Sequence, residues 1–139
     1  MKDYVNFTHH YYKLDTRRYT TIRGVTAIKD YKKGNVIESQ LKRNRLHDVL
    51  ILRVKHRLFS SLSLKFLKKD AEYEGFVIYE KVDFLRLVNS FRRENRKITE
   101  EDPTFTVLWL ERIVNKEDLK KEILKQYINY NVSKVCFIG

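Results

Sequence analysis

Asp48-Val49-Leu50-Ile51-Leu52-Arg53-Val54-Lys55-His56-Arg57-Leu58-Phe59 is the stretch that decides the fold class. It holds neither Gly nor Pro and is rich in aliphatic and β-branched residues, and its apolar start gives way to spaced cations, as in a long strand running from core to solvent. By strand parity Val49 and Ile51 share a face with Arg53, Lys55 and Arg57, which stand about 6.6 Å apart as a basic ladder. Upstream, Lys32-Lys33-Gly34 is a turn signal and Asn35 to Leu41 reads as a strand, while the polar run Lys42-Arg43-Asn44-Arg45 separates it from the longer one. The two strands form an antiparallel hairpin.

Downstream of the hairpin, Ser63 is placed to cap a short helix reaching about Tyr73, with Leu64, Leu67 and Ala71 at helical spacing and Gly75 as its stop. A second helix, from about Val82 to Glu94, carries Phe84, Leu85, Val88 and Phe91 on one face. Thr104 to Ile113 is apolar on both faces and reads as a central strand. Asn115 and Asp118 mark the start of a further helix with Leu119, Ile123, Leu124, Tyr127 and Ile128 as its stripe, and Val132 to Ile138 reads as a last strand. Upstream of the hairpin, Tyr4 to Phe7 and Tyr19 to Arg23 are short strands. The order predicts an α+β domain around a mainly antiparallel, barrel-like sheet with flanking helices.

The chain has 139 residues, with 29 Lys and Arg against 18 Asp and Glu, a net charge of +11. That length holds one domain of about 100 to 200 residues, spanning 1–139, and excludes a two-domain enzyme. With 42% hydrophobic residues the chain can fill a core, so a folded globule is expected despite 34% charged residues. A lone Cys136 permits no intrachain disulfide and sits in an apolar run as a core residue. With no signal-peptide run at Met1 to Phe7 and no long apolar span, a cytoplasmic protein without a membrane partner is expected. Residues 1–60 hold 14 basic and 5 acidic side chains, whereas the rest hold 15 and 13. A charge excess confined to one segment is the footprint of a polyanion, with nucleic acid the leading partner ahead of an anionic membrane surface.

No phosphate loop, nucleophile elbow, HExxH helix or paired-Cys motif occurs. His9 and His10 are adjacent and lack further ligands at useful spacing, so neither a metal nor another cofactor is expected. His47 and His56 read as surface or hydrogen-bonded side chains. In Arg17-Arg18-Tyr19-Thr20-Thr21-Ile22-Arg23, strand parity puts Arg17, Tyr19, Thr21 and Arg23 on one face: cations for phosphate, a ring for a base and a hydroxyl. Glu74 ends the first helix, where the helix dipole disfavours a carboxylate; within a cleft that suits acid–base work.

Taken in order, Arg17 to Arg23, Lys32-Lys33-Gly34-Asn35-Val36-Ile37, and Val49 to Phe59 followed by Leu62-Ser63 and Glu72-Tyr73-Glu74-Gly75-Phe76 resemble the ASCH domain, a small β-barrel related to PUA RNA-binding modules. The resemblance covers about residues 4–114 and leaves 115–139 as a C-terminal extension. Some bacterial members are acetylcytidine amidohydrolases with a catalytic Lys, Thr and Glu and no metal. The resemblance implies Thr21 and Glu74 for the last two and puts Arg18 in the place of the Lys; Thr16 replaces the family's Gly. Arginine effectively cannot release its proton, so Arg18 suits holding an anion rather than acting as a base.

Three functions follow as expectations. The first is an RNA-binding module, for single-stranded or structured RNA, using Arg17, Arg18, Tyr19 and Arg23 at a cleft and Lys42, Arg43, Arg45, Arg53, Lys55 and Arg57 as a backbone track. The second is a metal-independent hydrolase of a modified nucleoside or of RNA, with Arg18, Thr21 and Glu74 as the catalytic set. The third is a protein-interaction module docking through residues 115–139. The expected state is a monomer or weak homodimer.

Overall fold

The computed structural model describes residues 1–114 and Leu124. Its elements are β1 (Tyr4–Phe7), β2 (Arg18–Arg23), β3 (Val36–Leu41), β4 (Asn44–Leu58), α1 (Leu64–Ala71), α2 (Lys81–Ser90) and β5 (Thr104–Ile113), joined by 3₁₀ turns. The helix expected from Asn115 and the strand expected at Val132 to Ile138 lie outside the described residues. Among the described residues, no helix is long and apolar enough to cross a membrane.

The five strands form one mixed sheet in the order β1-β3-β4-β5-β2. β1 runs parallel to β3, and the other three pairings are antiparallel. Irregularities between Ser39 and Gln40 in β3 and between Ile51 and Arg53 in β4 add twist where they occur, and the sheet curls. The result is a half-barrel rather than a closed barrel. Its edges, β1 and β2, approach through side chains: Arg23 Nη2 donates to the carbonyl of Asn6 at 3.0 Å, and the rings of Phe7 and Tyr19 lie 6.2 Å apart.

The inner face of the curl is filled by Val5, Tyr19, Ile37, Val49, Ile51 and Leu108, all buried. The outer face of β2 and β5 is covered by the helices, where Phe105 meets Phe84 of α2 edge-on at 5.8 Å and Thr20 bonds to Asp70 of α1. β5 is therefore apolar on both faces for a physical reason: Leu108 and Leu110 face the barrel while Phe105 and Val107 face helices, and all four are buried. Ser63 caps α1 as the sequence predicts, its hydroxyl accepting from the Phe66 amide at 3.1 Å. α2 ends at Ser90, four residues before the expected Glu94. Beyond it the Asn89 side chain brackets the Ile98 backbone, accepting from its N–H at 2.8 Å and donating to its carbonyl at 3.2 Å.

Two features of the hairpin differ from the sequence reading. β4 begins at Asn44, so the connection to β3 shrinks to Lys42 and Arg43, both with positive φ, at 51° and 70°. A tight hairpin turn of this sort normally carries Asn-Gly, and no such signal is present. The irregularity around Leu52 also switches parity. Ile51 pairs with inward-facing Leu110 but Arg53 pairs with outward-facing Trp109, so Arg53, Lys55 and Arg57 stand on the opposite face from Val49 and Ile51.

Candidate functional site

The gap between the free edges of β1 and β2 opens into a cleft of about 260 Å³, walled on its far side by α2. At its base lie two residues absent from the expected set. Lys13, on the turn Tyr12–Asp15, has a side chain only 3% exposed, and its ammonium sits 3.2 Å from the equally enclosed carboxylate of Asp70. That ammonium lies 5.1 Å from the ring centroid of Phe7 and 5.2 Å from that of Tyr11. Asp70 shares the buried face of α1 with Leu67 and Ala71 and accepts a 2.8 Å hydrogen bond from Thr20 Oγ1.

Burial pulls the Lys13 amine down to about 8; the Asp70 carboxylate opposes the fall and the Arg23 charge adds to it. The amine thus gives up its proton near pH 8, well below the range of a solvent-exposed lysine. Thr21 and Arg23 face the cleft from β2, with Arg23 Nε donating to Thr21 Oγ1 at 3.1 Å and the guanidinium 5.0 Å over Phe7. Amine, carboxylate, hydroxyl and guanidinium together supply a proton acceptor near neutral pH beside a cation able to hold negative charge. An aromatic cluster adjoins the cleft at Phe91: His9 lies 5.7 Å from Phe91 and stacks on Tyr73 at 4.2 Å.

A second groove, about 350 Å³, runs between α1 and the outer face of β4 and β5. Trp109, Phe66 and Leu52 give it an apolar surface, Arg18 and Lys69 line it too, and Lys13 borders both cavities. The Trp109 ring also has the Arg53 guanidinium at 4.9 Å and that of Arg57 at 5.9 Å. No carboxylate lines this groove.

The structure separates the residues singled out in the sequence. Thr21 and Arg23 come together in the cleft. Glu74 does not join them: it is exposed, in the tight turn between Tyr73 and Phe76, and outside the cleft lining, because helix α1 ends before it and Asp70 takes the inward position. Tyr19 points into the half-barrel, where its hydroxyl meets Ser39 Oγ at 3.1 Å and His47 Nε2 at 2.8 Å, so its ring presents no face to a base. Burial pushes the Tyr19 phenol up to about 12 and pulls the His47 imidazole down to about 4, with the Arg112 charge adding to the latter. Arg17 and Arg18 are exposed beside the buried Glu111 carboxylate, at 3.5 and 2.9 Å.

The expected basic track is divided. Arg53 and Arg57 belong to the Trp109 surface and Lys55 is exposed on the same strand face. Lys42 and Arg43 form the hairpin tip, and Arg45 is paired with Asp48 at 3.0 Å. Two signals for the missed pair were present. Asp70 falls between Leu67 and Ala71 on an otherwise apolar helical stripe, and Lys13 is embedded in Tyr11-Tyr12-Lys13-Leu14; a charge in each apolar setting calls for a partner.

No family model matches the chain, and no solved structure does. An uncharacterized protein of Methanocaldococcus jannaschii is 34% identical over 113 residues, an alignment that covers 78% of this chain and 95% of the archaeal one. At that identity and coverage the chain belongs to the same protein family as this archaeal protein.

Proposed function

We propose that the chain is an RNA-binding domain of the ASCH, PUA-like type that lays single-stranded RNA across the outer face of β4 and β5. The observation that carries this reading is Trp109 with Arg53 and Arg57 within 6 Å of its ring, beside a groove that Lys69 lines and no carboxylate does. A base stacks on indole or on a guanidinium plane, and the surrounding cations neutralise phosphates without sequence preference. Fluorescence anisotropy with a labelled single-stranded RNA tests it. Binding should weaken steeply with salt, and Trp109→Ala should lower affinity by roughly 5- to 150-fold, the equivalent of about 1–3 kcal/mol for one stacked base. Absence of binding at about 50 mM salt rejects the reading.

The cleft supports a second reading, a metal-independent hydrolase of an acylated nucleoside. Its support is Lys13, which provides the low-pKa amine that Arg18 cannot, with Asp70 as the enclosed carboxylate. Neutral Lys13 would take a proton from the attacking water, Thr21 and Arg23 would hold the substrate and the developing oxyanion, and the C–N bond would break with the proton passing to the leaving amine. Turnover of acetylcytidine in EDTA should rise with pH through about 8. Lys13→Met should abolish it, whereas Glu74→Gln, on the exposed turn, should leave it intact. Turnover retained in the folded Lys13→Met protein rejects this assignment.

A further inference from the structure

Beyond α2 the chain runs Phe91-Arg92-Arg93-Glu94-Asn95-Arg96-Lys97. Arg92, Arg93 and Arg96 line a third cavity, which also includes Gly24 and Phe91, and Gly24, Phe91 and Arg92 are at the same time part of the wall of the cleft that holds Lys13 and Asp70. The two cavities are therefore contiguous, with half-buried Arg92 and exposed Phe91 at the junction.

Several arginines elsewhere are paired with carboxylates, although among the described residues Arg53 and Arg57, over Trp109, are not. Arg45 pairs with Asp48, Arg86 with Asp83, and Arg17 and Arg18 with Glu111. The one acid in the segment, Glu94, is taken by Lys97 at 2.8 Å. Among the described residues, Arg92, Arg93 and Arg96 have no carboxylate within 4 Å, and none lines their cavity.

Three guanidinium groups close in sequence and without counter-charge repel one another, a cost that an anion relieves. Their backbone is also fixed in advance. Asn89 clamps Ile98 on one side, and a 3₁₀ turn over Glu94–Arg96 holds the other, so the cost of binding falls on the arginine side chains and not on the backbone. Gly24 matters to the packing: a Cβ there would stand 3.3 Å from Arg92 Nη2, so a side chain would press on the guanidinium at the junction.

We propose that Arg92, Arg93 and Arg96 form a phosphate subsite, so that the occupant of the neighbouring cleft is a nucleotide rather than a free nucleoside. This rests on the reading of the cleft as a nucleoside site. The guanidinium groups take the phosphate oxygens by paired N–H donation, Phe91 offers a ring beside the sugar or base, and the base enters toward Thr21 and Lys13. The chemistry is the same for a mononucleotide and for one residue of a strand.

Calorimetric titration of the full chain with the four ribonucleosides, their 5′-monophosphates and a short oligouridine at about 50 mM salt tests the subsite. At least one monophosphate should bind ten-fold or more tightly than its nucleoside. That gap should close in Arg93→Gln/Arg96→Gln, whose exposed side chains are not needed for folding, and persist in Arg86→Gln, an exposed arginine paired with Asp83 and outside the lining of both cavities. Equal affinity of nucleoside and monophosphate, or a gap surviving in the Arg93/Arg96 variant, overturns the proposal. A gap that depends on Arg93 and Arg96 but ignores Thr21→Val and Lys13→Met keeps the phosphate subsite and rejects the nucleoside cleft. With the subsite in place, oligouridine binding that also depends on Arg93 and Arg96 identifies a strand as the source of the phosphate, and oligouridine binding indifferent to them identifies a free nucleotide.

Discussion

The cleft at the edge of β2 and the groove over Trp109 share one wall, yet they use charge in opposite ways. In the cleft Lys13 and Asp70 are removed from water and neutralise each other across 3.2 Å. Over Trp109, Arg53 is exposed to solvent while its guanidinium lies against indole, and nothing cancels its charge within the groove. A buried charge is committed: its partner, its protonation and the fold depend on one another. An exposed one remains available to a ligand and contributes little to stability. The same strand supplies both regions, since Thr20 faces α1 and the groove while Thr21 faces the cleft.

The most severe way to break this contrast is to remove one member of the buried pair. Asp70→Ala leaves the Lys13 ammonium enclosed without a counter-ion, and urea denaturation should show a loss of about 3–5 kcal/mol. The double variant Asp70→Ala/Lys13→Met should regain much of that loss, because an apolar side chain then fills the place of the charge. A single Asp70→Ala effect below about 1 kcal/mol would mean that the pair is solvated and its charges are not committed to each other.

Proton linkage offers a gentler probe of the same pair. Lys13 has a folded value near 8, below its ordinary 10.5, so between those limits the unfolded chain binds the proton that the folded chain has lost. Stability then rises with pH across that window, by at most about 1.4 kcal/mol per unit from this group. Comparing the native chain with Lys13→Met between pH 8 and 10, where Tyr19 with its value near 12 remains protonated, should show a steeper rise for the native chain. Replacing Arg53 should leave the slope unchanged. Instead, Arg53→Gln should reduce the dependence of log K for RNA on log salt by about 0.7, the loss of one contact to a single strand, with little change in the urea midpoint.

What could be read in advance divides along the same line between local and non-local causes. β1 and β5 were legible to the residue because the alternation of β1 and the continuous apolar run of β5 are local properties, and so was the Ser63 cap. The parity switch around Leu52 was not. Nothing in a run of apolar and basic residues marks an inserted residue, and its effect was to send the three cations to the outer face. Lys13 and Asp70 are 57 positions apart, so their pairing is a product of the fold although each carried a local hint. Counting charge by halves also concealed Arg92, Arg93 and Arg96, because distant acids balance them in number without neutralising them in space.

The smallest expected effect concerns the hairpin tip, where cations occupy positions that glycine or asparagine would fill more easily. Lys42 and Arg43 both hold positive φ, and a non-glycine residue in that region costs about 1 kcal/mol, which β3 and β4 must offset. Arg43 also donates its backbone N–H to Asn6 Oδ1 at 2.8 Å, a bond that glycine would keep. Lys42→Asn/Arg43→Gly should therefore stabilise the chain by about 1 kcal/mol in urea denaturation. If the tip also contacts RNA, the same variant should bind more weakly and with a shallower salt dependence, separating its electrostatic role from its structural cost. If stability rises and RNA affinity is untouched, the tip is merely strained, and the proposed RNA path is confined to the Trp109 face.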